Sequence, residues 1–357
     1  MKTDMTRHSG NRILWIDALK GLAIISVVLG HALLGFEQKN AYPSDMNCIS
    51  FLKDWIYTWH MPLFFILSGI AFRISCLKSD IFPIQKLKRT TLNLLIIYLI
   101  FESALPILKM LFSSFVNNPV QASDILGMIL LPTTPMWYLW VLIIYEWFFC
   151  WLFYQKPKLS ILLIILLLVS CIGNALYETE LLTRLCLKNL MTCALFFSIG
   201  IYYKELKQIL FHKITLIFSA IVVIGCLLYM IISYFITETQ NIWITVICLL
   251  EMNAIAVSIL LLFAFEKISA LGNNRFLVSA GKNSLAIYLL HTYFVTAMRV
   301  VILKAGIQNA WVAVLLATII PFGITYIAGL IIPKIPIICY LFRPIALIEN
   351  LKAKKSD

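Results

Sequence analysis

Apolar runs of about 20 residues, separated by short polar connections, recur along the whole chain. A helix of this length spans the ~30 Å hydrocarbon core of a bilayer, so each run predicts one transmembrane helix. The runs cover residues 13–35, 55–76, 91–112, 135–154, 159–177, 187–203, 211–236, 242–265, 284–303 and 311–332. The pattern predicts an all-α fold, a polytopic transmembrane bundle of about ten helices in a single domain. That domain covers residues 1–357, with short cytoplasmic tails at about 1–12 and 334–357.

The composition favours the same architecture. Of the 357 residues, 61% are apolar and only 13% are charged, and the mean hydropathy is +0.92. An ordinary soluble domain carries roughly 25% charged residues. The first run contains Asp17 and Lys20 and lacks a small-residue cleavage site, which argues against a cleaved signal peptide. We therefore expect a multi-pass protein of the inner (cytoplasmic) membrane.

The distribution of basic residues predicts the orientation. An even number of helices places both termini on one side of the membrane. With the N-terminus inside, roughly three quarters of the 29 Lys and Arg residues fall in cytoplasmic segments, as the positive-inside rule requires. Both termini are thus expected to be cytoplasmic, with the net charge of +12 facing anionic lipid. Membrane lipid is an expected partner, and nucleic acid is not, because no basic-aromatic motif is present.

The first predicted helix carries an unusual set of ionisable residues: Asp17, Lys20 and His31. At about 100° per residue, the step from Lys20 to His31 ends about 20° from whole turns, and that from Asp17 about 40°. The three side chains therefore share one face, with about 16 Å of axial rise between Lys20 and His31. A charge in hydrocarbon is costly, so this stripe is a candidate functional site. A polar packing seam, with Asp17 and Lys20 paired, explains it equally well.

The second predicted helix begins on the outer side and places His60 near the level of His31. Two histidines there can face one cavity, and imidazole is suited to proton transfer near neutral pH. Pro62 falls in the predicted first turn, where a missing N–H costs little. Ser68 is a small residue that permits close helix packing.

Basic residues gather at the cytoplasmic ends of the second and third predicted helices. Arg73 ends the second helix, and Lys86, Lys88 and Arg89 precede the third. They can bind lipid phosphates or the phosphates of a nucleotide-bearing donor. For Arg73 the alternative is an anchor whose guanidinium reaches the membrane surface.

Several other polar residues lie within or near the ends of the predicted spans, and each is either a satisfied core group or a site residue. They are Glu102, Glu146, Glu251, His291 and Arg299. Trp137 lies near the outer interface, where an aromatic belt is the ordinary explanation. The nine cysteines show neither a CxxC pair nor Cys/His metal spacing, so no metal site is predicted.

Four motifs, in order along nearly the whole chain, give a resemblance to the acyltransferase-3 family of integral membrane acyltransferases. The pattern is most similar to fucose and polysaccharide O-acetylases. The motifs are a basic residue, ten intervening residues and a histidine (Lys20, His31, preceded by Asp17); HMPLFFxLSG (His60 to Gly69); Trp-x-Leu (Trp137, Leu139); and GKxSxxxYLxH (Gly281, Lys282, Ser284, Tyr288, His291). Lys20 stands where the family often has Arg, and the basic residues before the third helix match its arginine pair only loosely.

The resemblance implies transfer of an acyl group, usually acetyl from acetyl-CoA, to a hydroxyl of a cell-envelope or exported glycan, without a metal. Its catalytic candidates are His31, Lys20, Asp17 and His60, and its donor-binding candidates are Arg73, Lys86, Lys88 and Arg89. Further site candidates are Ser68, Trp137, Glu146, Tyr288 and His291. A histidine near the outer surface can deprotonate the acceptor hydroxyl or hold the acyl group, and Lys20 can stabilise the thioester carbonyl. The expected partners include a glycan or lipid-linked sugar, and self-association stays open.

Two other classes of function fit parts of the pattern. A secondary transporter or flippase for a lipid-linked sugar or small metabolite also needs intramembrane charges and about ten helices. It would be marked by paired broken helices in two homologous halves, and the sequence shows no such repeat. A non-catalytic membrane assembly partner has no need for the aligned Lys20 and His31.

Overall fold

The computed structural model describes residues 13–78, 81–111, 113, 127, 135–175, 186–236 and 243–347. Within these residues the fold is an all-α helix bundle, as the apolar pattern predicts. The helices are α1 (Leu14–Glu37), α2 (Met46–Cys76), α3 (Ile84–Leu111), α4 (Trp137–Tyr154), α5 (Leu159–Ala175), α6 (Leu187–Thr192), α7 (Ala194–Ile201), α8 (Tyr203–Leu210), α9 (Lys213–Phe235), α10 (Trp243–Lys267), α11 (Ser269–Gly272), α12 (Arg275–Lys282), α13 (Ser284–Lys304), α14 (Ala310–Ile331) and α15 (Pro336–Phe342).

Eight helical segments in the described part of the chain are long and apolar enough to cross a bilayer. The two other predicted spans are also apolar but shorter. The span predicted at 159–177 becomes the 17-residue helix α5, and that at 187–203 is divided at Cys193 into α6 and α7. Eight rather than ten predicted spans therefore reach full length, and the multi-pass architecture is confirmed.

The second helix differs most from its predicted bounds. It begins at Met46 instead of residue 55, because its polar first turns are paired with neighbouring helices rather than left in a loop. Pro62 consequently lies deep inside α2, and its expected place in the first turn is wrong. Since proline has no N–H, the carbonyl of Thr58 loses its helical hydrogen bond at this point.

The first helix lies at the centre of the bundle. Of its most apolar window, 67% is buried, against 17% for α9, which lies at the periphery. It packs against α2, α10, α12, α13 and α14. The approach to α12 is the closest, because a Cβ on Gly281 would stand 1.7 Å from the Asp17 carbonyl oxygen. The glycine of the GKxS motif thus permits backbone contact between two helices.

The C-terminal segment packs against the bundle. After a 3-10 turn at Ile332–Lys334, α15 brings the Phe342 ring to 5.6 Å from that of Phe101 in α3, and Ile345 is buried. The predicted tail at 334–357 is therefore helical and packed in part. Residues 1–12 and 348–357 of the predicted tails lie outside the described residues, and the orientation of the termini stays a prediction.

Candidate functional site

A cavity of about 790 Å³ opens within one end of the bundle. Its walls come from the last part of α1, the first half of α2 and the start of α4, together with parts of α5, α6, α9, α10 and α13. We call this region, which contains His31, His60 and Glu37, the cavity end. The opposite end, where α2 finishes at Arg73 and α3 begins at Lys86, is called the basic end.

His31 lies at the centre of the cavity end. Its side chain is partly exposed and lines the cavity together with His60. The Tyr57 hydroxyl lies 3.5 Å from Nδ1 of His31, and the centroid of the His291 ring lies 5.0 Å from that of His31. The Tyr57 ring is in turn 4.9 Å from that of His60. Helices α1, α2 and α13 thus bring three histidines of three separate motifs together.

Two of these histidines are fixed by the backbone. Nδ1–H of His60 donates to the Ile56 carbonyl at 2.7 Å, and Nδ1–H of His291 donates to the Tyr288 carbonyl at 2.6 Å. Carbonyl oxygen only accepts, so the proton of each neutral ring is on Nδ1 and Nε2 is an acceptor. In the described part of the chain, neither ring nitrogen of His31 is bonded to a carbonyl. Of the three clustered histidines, His31 is therefore the one whose ring is not fixed by a backbone carbonyl within the described structure.

The remaining motif residues surround this cluster. Tyr288 lines the cavity, and its hydroxyl donates to the Pro135 carbonyl. The Tyr138 ring is 5.6 Å from that of Tyr288, and its hydroxyl is 2.5 Å from that of Ser68. Trp137 also lines the cavity. Ser68 is thus connected to the cluster through Tyr138, a residue that the sequence analysis did not single out.

A network of charged and hydroxyl groups also lines the cavity. Nζ of Lys53 lies 2.8 Å from Oε2 of Glu37 and 2.8 Å from Oδ1 of Asp54. Ser50 donates to Oε1 of Glu37 at 2.5 Å, and the Tyr234 hydroxyl donates to Asp54. These contacts connect α1, α2 and α9, and they explain why polar residues extend α2 beyond its predicted start.

A second polar pair, Asn174 of α5 and Glu251 of α10, lines the same cavity. The Asn174 amide donates to Oε1 of Glu251. The Glu251 residue is only 6% exposed, and Oε2 is buried with no hydrogen-bond partner in the described structure. A buried unpaired carboxylate oxygen is costly, so this atom needs a partner that the chain does not supply.

At the basic end, Arg73 is held by protein groups. Its guanidinium lies 3.7 Å from Glu205, donates to the Leu77 carbonyl at 3.1 Å and stacks 4.2 Å above the Phe153 ring. A partly exposed ion pair of this kind contributes at most about 1 kcal/mol. These contacts are compatible with Arg73 as an anchor at the membrane surface. Its side chain is still 25% exposed, so its charge can also attract an anion.

The basic cluster before the third predicted helix is exposed. Lys86, Lys88 and Arg89 all lie in the first turns of α3, and Lys86 donates to the Ser75 carbonyl at the end of α2. Nearby at this end, Glu266 accepts from Tyr203 and Lys207. Burial and the Glu266 carboxylate raise the pKa of Tyr203, so this phenol stays a donor. The basic end therefore presents several positive charges to its surroundings.

Of the predicted catalytic and further site residues, five do not line the cavity formed by the described residues: Asp17, Lys20, Ser68, Glu146 and His291. Asp17 lies beneath Gly281, and its Oδ2 is buried without a hydrogen-bond partner in the part of the chain described. Lys20 lies between the two ends of α1, half-buried. Glu146 is buried in α4, and its Oε2 likewise has no hydrogen-bond partner among the described residues.

Sequence reasoning missed Tyr57, Asn174 and the Glu37–Lys53–Asp54 network. Tyr57 stands three residues before His60, on the same helical face, and this spacing was a usable signal. The other groups depend on contacts between distant helices. Among the described residues, no group of three or more His, Cys, Asp or Glu side chains has the arrangement of a metal site.

Comparison with known proteins identifies the family. The acyltransferase-3 family model, which describes an acyltransferase domain, matches residues 13–330, most of the chain. A search of curated proteins and a search of solved structures each gave no match. The matched region includes all four motifs and every helix around the cavity. The chain therefore belongs to the acyltransferase-3 family of membrane acyltransferases.

Proposed function

We propose that the protein transfers an acetyl group from acetyl-CoA, bound from the cytoplasm, to a hydroxyl of a cell-envelope or exported glycan. It does so in the inner membrane, with the basic end cytoplasmic and the cavity end facing outward. The observation that carries the proposal is the cavity at His31. It is large enough for sugar residues and combines hydroxyl, amide and carboxylate groups with aromatic rings.

In the proposed reaction, His31 takes the proton of the acceptor hydroxyl, and the oxygen attacks the thioester carbonyl. The carbon–sulfur bond then breaks, and the proton held by His31 passes to the departing sulfur of coenzyme A. His31 is thereby restored. Tyr57 and His291 contact His31 and hold its ring in position. His60, fixed by its backbone bond, lies beside Tyr57 and offers Nε2 as a further acceptor.

The donor's phosphates would bind at the basic end, near Arg73, Lys86, Lys88 and Arg89, where exposed cations match their charge. Thirteen residues of α2 separate Arg73 from His60, about 20 Å at 1.5 Å per residue. The flexible arm of the donor has to cover this distance. Lys20 stands part of the way along it on α1, and would contact the donor there.

Two measurements test this function. Surface glycans from cells with and without the protein are compared by mass spectrometry, and the purified protein is incubated with labelled acetyl-CoA and unacylated glycan. Ester-linked acetyl should be lost from the glycans of cells lacking the protein, and label should enter glycan in the purified system. Unchanged acetylation, together with movement of unmodified sugar across vesicle membranes, would indicate a transporter or flippase instead.

A further inference from the structure

The cavity contains a buried carboxylate that the proposed reaction does not use. Glu251 is 94% shielded, yet it lines the cavity shared with His31. One of its oxygens accepts from Asn174, while the other has no hydrogen-bond partner within the described structure. The amide therefore fixes the carboxylate plane, and the described chain leaves the second oxygen unpaired.

The placement of this oxygen favours a hydroxyl donor. Buried polar atoms in native proteins are nearly always bonded, so an unpaired one at a cavity wall indicates a ligand group. The same cavity is lined by further polar residues, Asn189 and Thr192 of α6. Sugar hydroxyls both donate and accept, and this mixture of carboxylate, amide and hydroxyl groups matches them.

The charges of the lining restrict the ligand further. The described lining contains Glu37, Asp54 and Glu251 but only two cations, Lys53 and Lys188. Lys53 bridges Glu37 and Asp54 and is thus neutralised within the wall. The described lining therefore has one more acidic than basic group, which disfavours an anionic sugar in a site of low dielectric.

We infer that the Glu251–Asn174 pair is an acceptor subsite that binds a hydroxyl of an uncharged sugar residue, with Glu251 as its specificity-determining group. The inference rests on the proposed function, because it names the class of glycan that His31 deprotonates. Glu251 does not touch the reacting atoms in this account. It fixes where the acceptor lies relative to His31.

Binding without donor tests the subsite directly. Glycan from cells lacking the protein is separated into neutral and anionic fractions, and each is titrated into the purified protein by calorimetry. The parent protein should bind the neutral fraction and discriminate against the anionic one. Glu251→Gln should weaken neutral-glycan binding roughly tenfold to a hundredfold, the range for a hydrogen bond to a charged group. Asn174→Ala, which frees the carboxylate to rotate, should have a smaller effect.

Glu266→Gln is the matched control, since it makes the same change on the same helix at the basic end. It should bind glycan like the parent. Equal glycan binding by Glu251→Gln and the parent would overturn the subsite, as would no binding of either fraction to the parent. If the parent protein bound the anionic fraction as tightly as the neutral one, the inference that the sugar is uncharged would be overturned.

Acetyl transfer is measured separately, so that the two proposals can fail independently. With labelled acetyl-CoA, Glu251→Gln should raise the acceptor KM and leave the donor KM at the parental value. If the parent transfers no label to glycan, the proposed function fails, while the calorimetric result still decides whether the subsite exists.

Discussion

The cavity end and the basic end of the bundle both contain charged and polar residues, but they arrange these side chains differently. At the cavity end, polar groups from six or more helices surround an open volume, and Oε2 of Glu251 has no hydrogen-bond partner among the described residues. At the basic end, the helices close on each other through Gly281, and the cations face outward or pair with Glu205 and Glu266. An open volume lined by polar and titratable groups indicates a site that binds and reacts, whereas exposed cations indicate a surface that attracts an anion.

The largest effect is expected at the cavity end. His31→Ala removes the proposed base and should lower glycan acetylation per inserted protein by roughly 10²–10⁴. His31→Gln keeps a hydrogen-bonding side chain and should be nearly as inactive. The control is His212→Ala, an exposed histidine that caps α9 at the other end. Near-parental acetylation by both His31 variants would show that Asp17, Lys20 and His31 form a polar packing seam and that His31 is not the base.

The closest helix contact belongs to the basic half of α1, and its disruption should affect stability. Gly281→Ala places a Cβ where the Asp17 carbonyl stands, so α1 and α12 must separate, at a cost of about 1–3 kcal/mol. Gly323→Ala meets no atom within 4 Å and should be neutral or stabilising. The thermal unfolding midpoint in detergent measures both. Equal midpoints would show that the contact is not close.

Charge reversal at the basic end should affect the donor alone. The double variant Arg73→Glu, Arg89→Glu should raise the KM for acetyl-CoA roughly tenfold or more, because repulsion replaces attraction to its phosphates. Lys158→Glu reverses one charge in the connection between α4 and α5 and is the control for charge reversal as such. A double variant that uses acetyl-CoA like the parent would make the cluster a lipid anchor.

The smallest effect concerns the orientation of the proposed base. Tyr57→Phe removes the hydroxyl 3.5 Å from Nδ1 of His31 and keeps the ring between the two histidines. The loss of one neutral hydrogen bond corresponds to roughly two- to tenfold in kcat. Initial rates at saturating donor and acceptor measure it. A loss as large as that of His31→Ala would give Tyr57 a direct part in the chemistry.

The sequence was sufficient for the helices and for the motif residues at the core of the site. Apolar runs locate α1, α3 and α13, and helical periodicity with the motifs points to His31, His60 and His291. Hydropathy fails where polar residues are paired within the bundle. Hydropathy places Lys53 and Asp54 before the start of the second predicted span. In the structure both belong to α2, where Lys53 pairs with Glu37 of α1 and with Asp54.

Groups that depend on long-range packing were beyond a single sequence. From the sequence, Glu251 could be either a core group or a site residue. The structure shows its contact with Asn174 of α5. Lys20 shares a face with His31, but eleven residues of rise separate the two, and the cavity includes only His31. The shared face therefore predicted correctly that α1 contributes to the cavity, but it did not predict which of its residues line the cavity.

In the proposed reaction, donor and acceptor enter from opposite ends of the bundle and meet at His31. Vesicles with the protein inserted in one orientation test it, with labelled acetyl-CoA confined to the side of the basic end and glycan to the side of the cavity end. Labelled glycan is expected on the cavity side, and none is expected when the two compounds exchange sides. Label that appears only when both compounds are on the same side would contradict it.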